Sequence, residues 1–236
     1  MRNEHNRREF RFLVLSAIFL AALIWFLPTS YFDLSREDCQ KLQKLAEDEY
    51  FQEFQFDESW SFEDFTCNSH ESAILNALQF LKTTQFQLPD EERDFDFYEW
   101  IKGRNPTFTK REILAFSGIA RIEENRIEIS TIKLDEADPV SIANILIHET
   151  RHLEEGFNSH VRCKKDPQKS CDVRLEEDPF DGGAYNYNVI YLHRLIEYGH
   201  VSRSERYSAE QLMALILENQ FNHISPQSLA KYQVGL

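Results

Sequence analysis

The first pattern along the chain is an unbroken apolar run. Over residues 12–27, Ser16 is the only polar side chain, and Arg2, Arg7, Arg8 and Arg11 precede it. A buried core helix would break such a run with polar spacing, so the segment is expected to enter a membrane with its basic head left in the cytoplasm. The run is a little short of the roughly 20 residues that span a bilayer, and the following residues from Pro28 to Phe32 extend it through the interface. A cleaved signal peptide is the rival. Its cleavage site needs small residues, whereas Leu27-Pro28-Thr29-Ser30-Tyr31 offers proline and an aromatic ring. The expected organisation is a cytoplasmic head at 1–11, an uncleaved signal anchor or transmembrane helix at 12–28, and a main part outside the cytoplasm, periplasmic or at the cell surface. If the signal is cleaved, that part is secreted.

Beyond the anchor the periodicity becomes helical. Leu42, Leu45, Ala46, Tyr50 and Phe54 recur at three and four residues behind a Ser35-x-x-Asp38 start, which predicts a capped helix over 35–54. A second helix is predicted over 71–82, and a short third over 95–102 after the acidic turn at 89–92. Phe51, Phe54, Phe56, Phe62 and Phe65 read as aromatic packing within this helical cap, residues 29–110. From 112 to 133 the period falls to two, with Ala120 and Ile122, then Ile127, Ile129 and Thr131, on either side of Glu123-Glu124-Asn125. That alternation predicts a β-hairpin.

Asp138 and Pro139, an N-cap residue and a first-turn proline, then open a helix over 140–155, and Gly156 and Asn158 stop it. A polar stretch follows to residue 181, and helical periodicity returns over 185–198 and 208–220. The expected fold class is α+β, predominantly helical, with a small β-hairpin or sheet before the best-marked helix. Residues 111–236 form the expected second region.

Composition narrows the function classes. With 7 Gly and 7 Pro in 236 residues the chain is not collagen-like or of low complexity. A formal charge of −14 repels phosphate backbones, which argues against a nucleic-acid partner. Cys39, Cys67, Cys163 and Cys171 allow three pairings, and in an exported chain disulfides are expected. The short spacing favours Cys163 with Cys171, leaving Cys39 with Cys67. No C-x-x-C spacing supports a cysteine zinc site.

The chemistry centres on His148-Glu149-Thr150-Arg151-His152, an H-E-x-x-H motif on the predicted 140–155 helix. Histidines four apart share one helix face, so both rings can reach one zinc ion with Glu149 beside the metal's open position. The motif, the hairpin before it and the amphipathic helix that carries it resemble the active-site helix of the zincin metallopeptidases. A wider string with His160-Val161-Arg162-Cys163, Cys171-Asp172 and Gly183-Ala184-Tyr185 resembles a group of poorly characterised exported bacterial proteins with H-E-x-R-H.

The zincin resemblance implies a zincin-like domain over 111–236, with His148 and His152 as Zn2+ ligands and Glu149 as the residue that polarises water. For the third ligand His160 is preferred, since imidazole suits zinc and the break at Gly156 gives it a route back. Glu176, Glu177 and Glu197 are the carboxylate alternatives. A metzincin is excluded, because Asn158 stands where its third histidine belongs. Arg151 is charged where zincins carry an uncharged residue, and pairing with Glu155 at i, i+4 on an exposed face is expected. Tyr185 or Tyr187 can supply a phenol to an oxyanion if the next helix packs beside the first. The implied activity is a membrane-anchored zinc peptidase acting on a peptide or protein substrate, with Glu149 and Tyr185 catalytic. The same residues also admit a non-catalytic, zinc-stabilised or metal-free envelope binding module.

Overall fold

Helix α1, Arg36–Leu45, starts where Ser35 Oγ accepts the Asp38 backbone N–H at 3.1 Å, as its Ser-x-x-Asp spacing predicts. It loosens into a wider π-type turn at Ala46–Tyr50, tightens again in α2, Phe51–Glu53, and passes into strand β1, Gln55–Phe56. The computed structural model describes residues 35–113, 116–136, 138–176 and 178–232, which belong to one folded unit. The expected anchor at 12–28 lies outside the described residues. Among those described, no helix is long and apolar enough to cross a membrane.

Helix α3, His70–Thr83, buries Ile74, Leu75 and Leu78, and a disulfide between Cys39 and Cys67 ties α1 to the segment before it. Helix α4, Phe97–Arg104, lies two residues later than its periodicity suggests, because Asp96 accepts from the Glu99 N–H and caps it there. Asn105, at φ 47°, turns the chain into β2, Thr107–Arg111. Strands β3, Gly118–Arg121, and β4, Arg126–Ser130, form the predicted hairpin around Asn125 at φ 45°.

The sheet is larger than the hairpin. Its order is β1-β2-β4-β3, with β1 and β2 running parallel to their neighbours and β3 at the edge. Strands β1 and β2 come from the stretch read as a helical cap, so the sheet draws on both sides of the expected boundary at residue 110. The Thr107–Arg111 segment carries one apolar residue, Phe108, and its place is set by pairing with β4 rather than by alternation. Ile122 falls in the short turn and is exposed, and Thr131 opens helix α5, Thr131–Glu136, so neither belongs to a strand.

Helix α6, Pro139–His152, is the central element. Asp138 accepts from the Ser141 N–H at its start, and Val140, Ile142, Ala143, Leu146 and Ile147 are fully or almost fully buried. Each large aliphatic side chain sealed this way contributes about 1.5–3 kcal/mol, which fixes the rotation of the helix and hence where its histidines point. Packing against α6 are α3, β3 and helix α7, Ala184–Glu197. Helix α8, Arg203–Asn219, begins five residues before its apolar period because Ser202 and Glu205 form a reciprocal capping box over a polar first turn. A last helix, α9, covers Pro226–Tyr232.

Between α6 and α7 the polar stretch contains a two-stranded ribbon. Strands β5, Val161–Arg162, and β6, Ser170–Cys171, pair antiparallel and are closed by a Cys163–Cys171 disulfide. Both disulfides follow the pairing that the spacing favours, and they fit an oxidising, extracytoplasmic setting. The observed fold is α+β and predominantly helical.

Candidate metal centre

His148 and His152 stand one turn apart at the end of α6, and His160 returns to them after the chain reverses at Gly156, where φ is +88°. Their three Nε2 atoms converge. The separations are 3.2 Å between His148 and His152, 3.0 Å between His148 and His160, and 2.9 Å between His152 and His160. Zn–N bonds of about 2.0–2.1 Å at tetrahedral angles separate nitrogen ligands by about 3.3 Å, so the triangle is within a few tenths of an ångström of a zinc site.

Each ring is held by its other nitrogen. His148 Nδ1 donates to Asn188 Oδ1 at 2.8 Å, His152 Nδ1 to the Phe157 carbonyl at 2.6 Å, and His160 Nδ1 to Asp172 Oδ1 at 3.1 Å. These bonds place the proton on Nδ1 and leave three Nε2 lone pairs facing one point. Lone pairs so arranged repel one another unless a cation lies among them. Burial first, and then the neighbouring imidazoles, push His148 well below the ordinary imidazole range, and His152 is lowered by burial and by His160. Both imidazoles are therefore neutral near pH 7.

The supports are themselves supported. Asn188 Nδ2 donates to both the backbone and side-chain oxygens of Asn144, each at 2.7 Å, which leaves its Oδ1 for His148. Asp172 Oδ2 accepts from the Tyr185 N–H and Asn186 Nδ2, each at 3.0 Å, so the carboxylate also caps the start of α7. Asn188 and Asn144 were not among the residues singled out from sequence, and Asp172 appeared there only within the wider Cys171-Asp172 string, with no role. A signal existed for one of them: Asn144, His148 and His152 follow each other at intervals of four and share a helix face. Asp172 is paired through a ribbon register that spacing does not disclose.

Glu149 is only 7% exposed, and burial pushes its carboxyl up to about 8, against the pull of the Ala120 backbone N–H that it accepts. It lies against edge strand β3. A Cβ added at Gly118 would come within 2.9 Å of Glu149 Cγ, so the absence of a side chain there makes room for the carboxylate.

Among the other sequence candidates, Tyr185 joins the site and Tyr187 does not. The Tyr185 ring stacks on His160 at 4.6 Å and lies 4.5 Å from His148, and burial followed by Asp172 and Glu149 raises its phenol. Tyr187 packs with Trp100, Phe95 and Phe180. Glu197 is exposed at the far end of α7, and the Glu176 side chain pairs with Arg174, whereas Glu177 lies outside the described residues. The described His, Cys, Asp and Glu residues that gather closely enough for one ion are His148, His152 and His160.

Arg151 corrects the sequence reading. It is 4% exposed rather than on an open face, and its partner is Glu154 rather than Glu155. Its guanidinium donates to the Gly182 carbonyl at 2.7 Å and the Phe180 carbonyl at 3.1 Å, and lies over the Phe157 and Tyr187 rings. The helical period alone could not show this, because loop 180–182 folds back over that face of α6. Glu154 also accepts from Arg104 and, at 3.0 Å, from Trp100 Nε1. Arg151 thus fixes the end of α6 against the segment that leads into α7.

No family model, no curated protein and no solved structure matches this chain.

Proposed function

We propose that the chain is a zinc-dependent peptidase, held at the membrane by its N-terminal apolar segment with the main domain outside the cytoplasm. The observation that carries this reading is the convergence of three Nε2 lone pairs, each ring oriented by an oxygen acceptor, beside a buried carboxyl raised to about 8. Zinc held by His148, His152 and His160 supplies Lewis-acid polarisation of a carbonyl and acidifies a water. Glu149 takes the proton of the attacking water and passes it to the leaving amine. A carboxyl held next to the histidines in sequence is placed to accept that proton and return it. Tyr185, packed over two of the histidines, is the candidate donor to the developing oxyanion. Strand β3 is an edge strand beside Glu149, a place where an extended peptide can lie alongside the sheet.

A structural zinc is the second reading, that of a zinc-stabilised envelope binding module. Tyr185 ring contacts and the burial of His152 favour it, because structural sites are closed whereas catalytic ones keep a position open. Chelation separates the two. Under the peptidase reading, chelator abolishes hydrolysis of an unstructured protein substrate such as casein and leaves the helical spectrum in place. Loss of the helical spectrum together with the metal would instead favour the structural site.

A further inference from the structure

The third ligand hangs on the ribbon, and the ribbon's two strands are anchored unequally. Val161 pairs with Cys171 and Arg162 with Ser170, and one further step of that register sets His160 opposite Asp172, where the side chains meet at 3.1 Å. Asp172 belongs to the body of the protein. Its carboxylate binds the start of α7, its N–H donates to the Gln220 carbonyl at 2.9 Å, and its carbonyl accepts from the Asn222 N–H at 3.1 Å. His160 reaches the body through β5, which is held by two ladder positions, by Asn222 on both the Arg162 carbonyl at 3.0 Å and the Lys164 N–H, by the Cys163 N–H on the Lys169 carbonyl at 3.1 Å, and by the Cys163–Cys171 bridge. A two-residue ribbon is marginal alone. The loop that closes it is exposed, with Lys169 paired to Asp166 at 3.8 Å and Lys165 on the Glu218 carbonyl at 3.4 Å, surface contacts that add little to its hold.

We propose that Cys163 and Cys171 are positioning residues of the metal centre: their bridge keeps His160 in register with Asp172, and metal affinity therefore depends on the oxidation state of that bridge. The inference rests on the metal reading above but not on hydrolysis. Two thiols of a reductant such as glutathione deliver two electrons and two protons. The Sγ–Sγ bond breaks, two cysteine thiols form, and the reductant leaves as its own disulfide. Strand β5 then loses its covalent tie while Asp172 keeps its place, and His160 leaves the triangle. The Cys39–Cys67 bridge is an internal control, since it joins α1 to the segment before α3, which carry none of the site's residues.

The test uses the full chain and zinc as the probe, with affinity read by competition against a chromophoric chelator and the fold followed by circular dichroism. Replacing both Cys163 and Cys171 by Ser is expected to weaken zinc binding about 10–100-fold, the range for losing a group that orients a ligand. Replacing both Cys39 and Cys67 by Ser should leave zinc affinity unchanged. By reciprocity, saturating zinc should shift the thiol–disulfide equilibrium of the Cys163–Cys171 bridge toward the disulfide by the factor that separates the zinc affinities of its oxidised and reduced forms, read in glutathione buffers on the chain lacking Cys39 and Cys67. This second arm decides the matter if the Cys163/Cys171 double variant does not fold. An unchanged zinc affinity in the folded double variant, or a bridge equilibrium indifferent to zinc, would overturn the proposal. A parent chain that binds no zinc would overturn the metal reading itself, and the two failures are thus distinct.

Discussion

The candidate metal site is held by two supports of opposite character. His148 and His152 stand on α6, a 14-residue helix sealed by Val140, Ile142, Leu146 and Ile147, whereas His160 stands just before a two-residue strand whose residues are exposed. The helix fixes its pair through packing and the intrinsic i, i+4 geometry. The ribbon fixes its single ligand through a carboxylate, a disulfide and a few hydrogen bonds. Rigid elements set ligand positions more precisely than loops, so the helical pair should act as a preformed chelate and His160 as the member that can be detached.

The largest test of that contrast is ligand removal. His148→Ala or His152→Ala breaks the helical pair and should abolish measurable zinc binding, while His160→Ala leaves a two-nitrogen chelate that binds more weakly than the parent. Competition titration reads all three, and equal losses would erase the distinction between supports. Next comes chemistry: Glu149→Gln should lower turnover by about 10²–10⁴-fold while zinc content stays at the parent level. Unchanged turnover in that variant would remove Glu149 from the mechanism.

Stability should respond where the helix end is tied down. Arg151→Ala leaves Glu154 to Arg104 and Trp100 alone and takes the donor from the Phe180 and Gly182 carbonyls, an expected loss of about 1–3 kcal/mol in urea unfolding. A change within a few tenths would mean that loop 180–182 is not held by this side chain. Smaller still are the supports. Asp172→Ala and Asn188→Ala should each cost zinc affinity about 10–100-fold, the former more because it frees the ribbon ligand and removes a helix cap together.

The smallest effect is a pH slope in the metal-free chain, best measured on Glu149→Gln, which removes a carboxyl that burial pushes the other way, up to about 8. Burial lowers both His148 and His152, so below about 6.5 the unfolded chain takes up more protons than the folded one. Stability is then fully present above that pH and is lost as pH falls toward the depressed values. Urea midpoints at pH 7.5 and 5.5 should differ in this direction, and replacing both histidines by Asn should shrink the difference to the part left by His193, which burial also lowers.

What the sequence disclosed follows the same division. Helix α6 was legible because Asp138-Pro139 starts it, its apolar period is strong, and a four-residue interval carries its own geometry. The β3–β4 hairpin was legible for a similar reason, since alternation and a turn are local signals. Strands β1 and β2 were not, because parallel pairing joins residues about fifty positions apart in β1–β2 and about twenty in β2–β4, and their own pattern is weak. His160 was legible as a residue type at a plausible distance, but its partner Asp172, the Asn188–Asn144 support and the space left by Gly118 depend on elements meeting in three dimensions. Arg151 failed by the same rule: the helix surface looked open until another segment covered it.

The most direct measurement is zinc content by elemental analysis of the purified chain, compared with His148→Ala and His160→Ala. The expected result is one zinc ion per chain in the parent, none in His148→Ala, and partial, weakly held metal in His160→Ala. A parent purified without chelators that carries no zinc, and takes up none when it is offered, would contradict the central claim that the three converging imidazoles are a metal site.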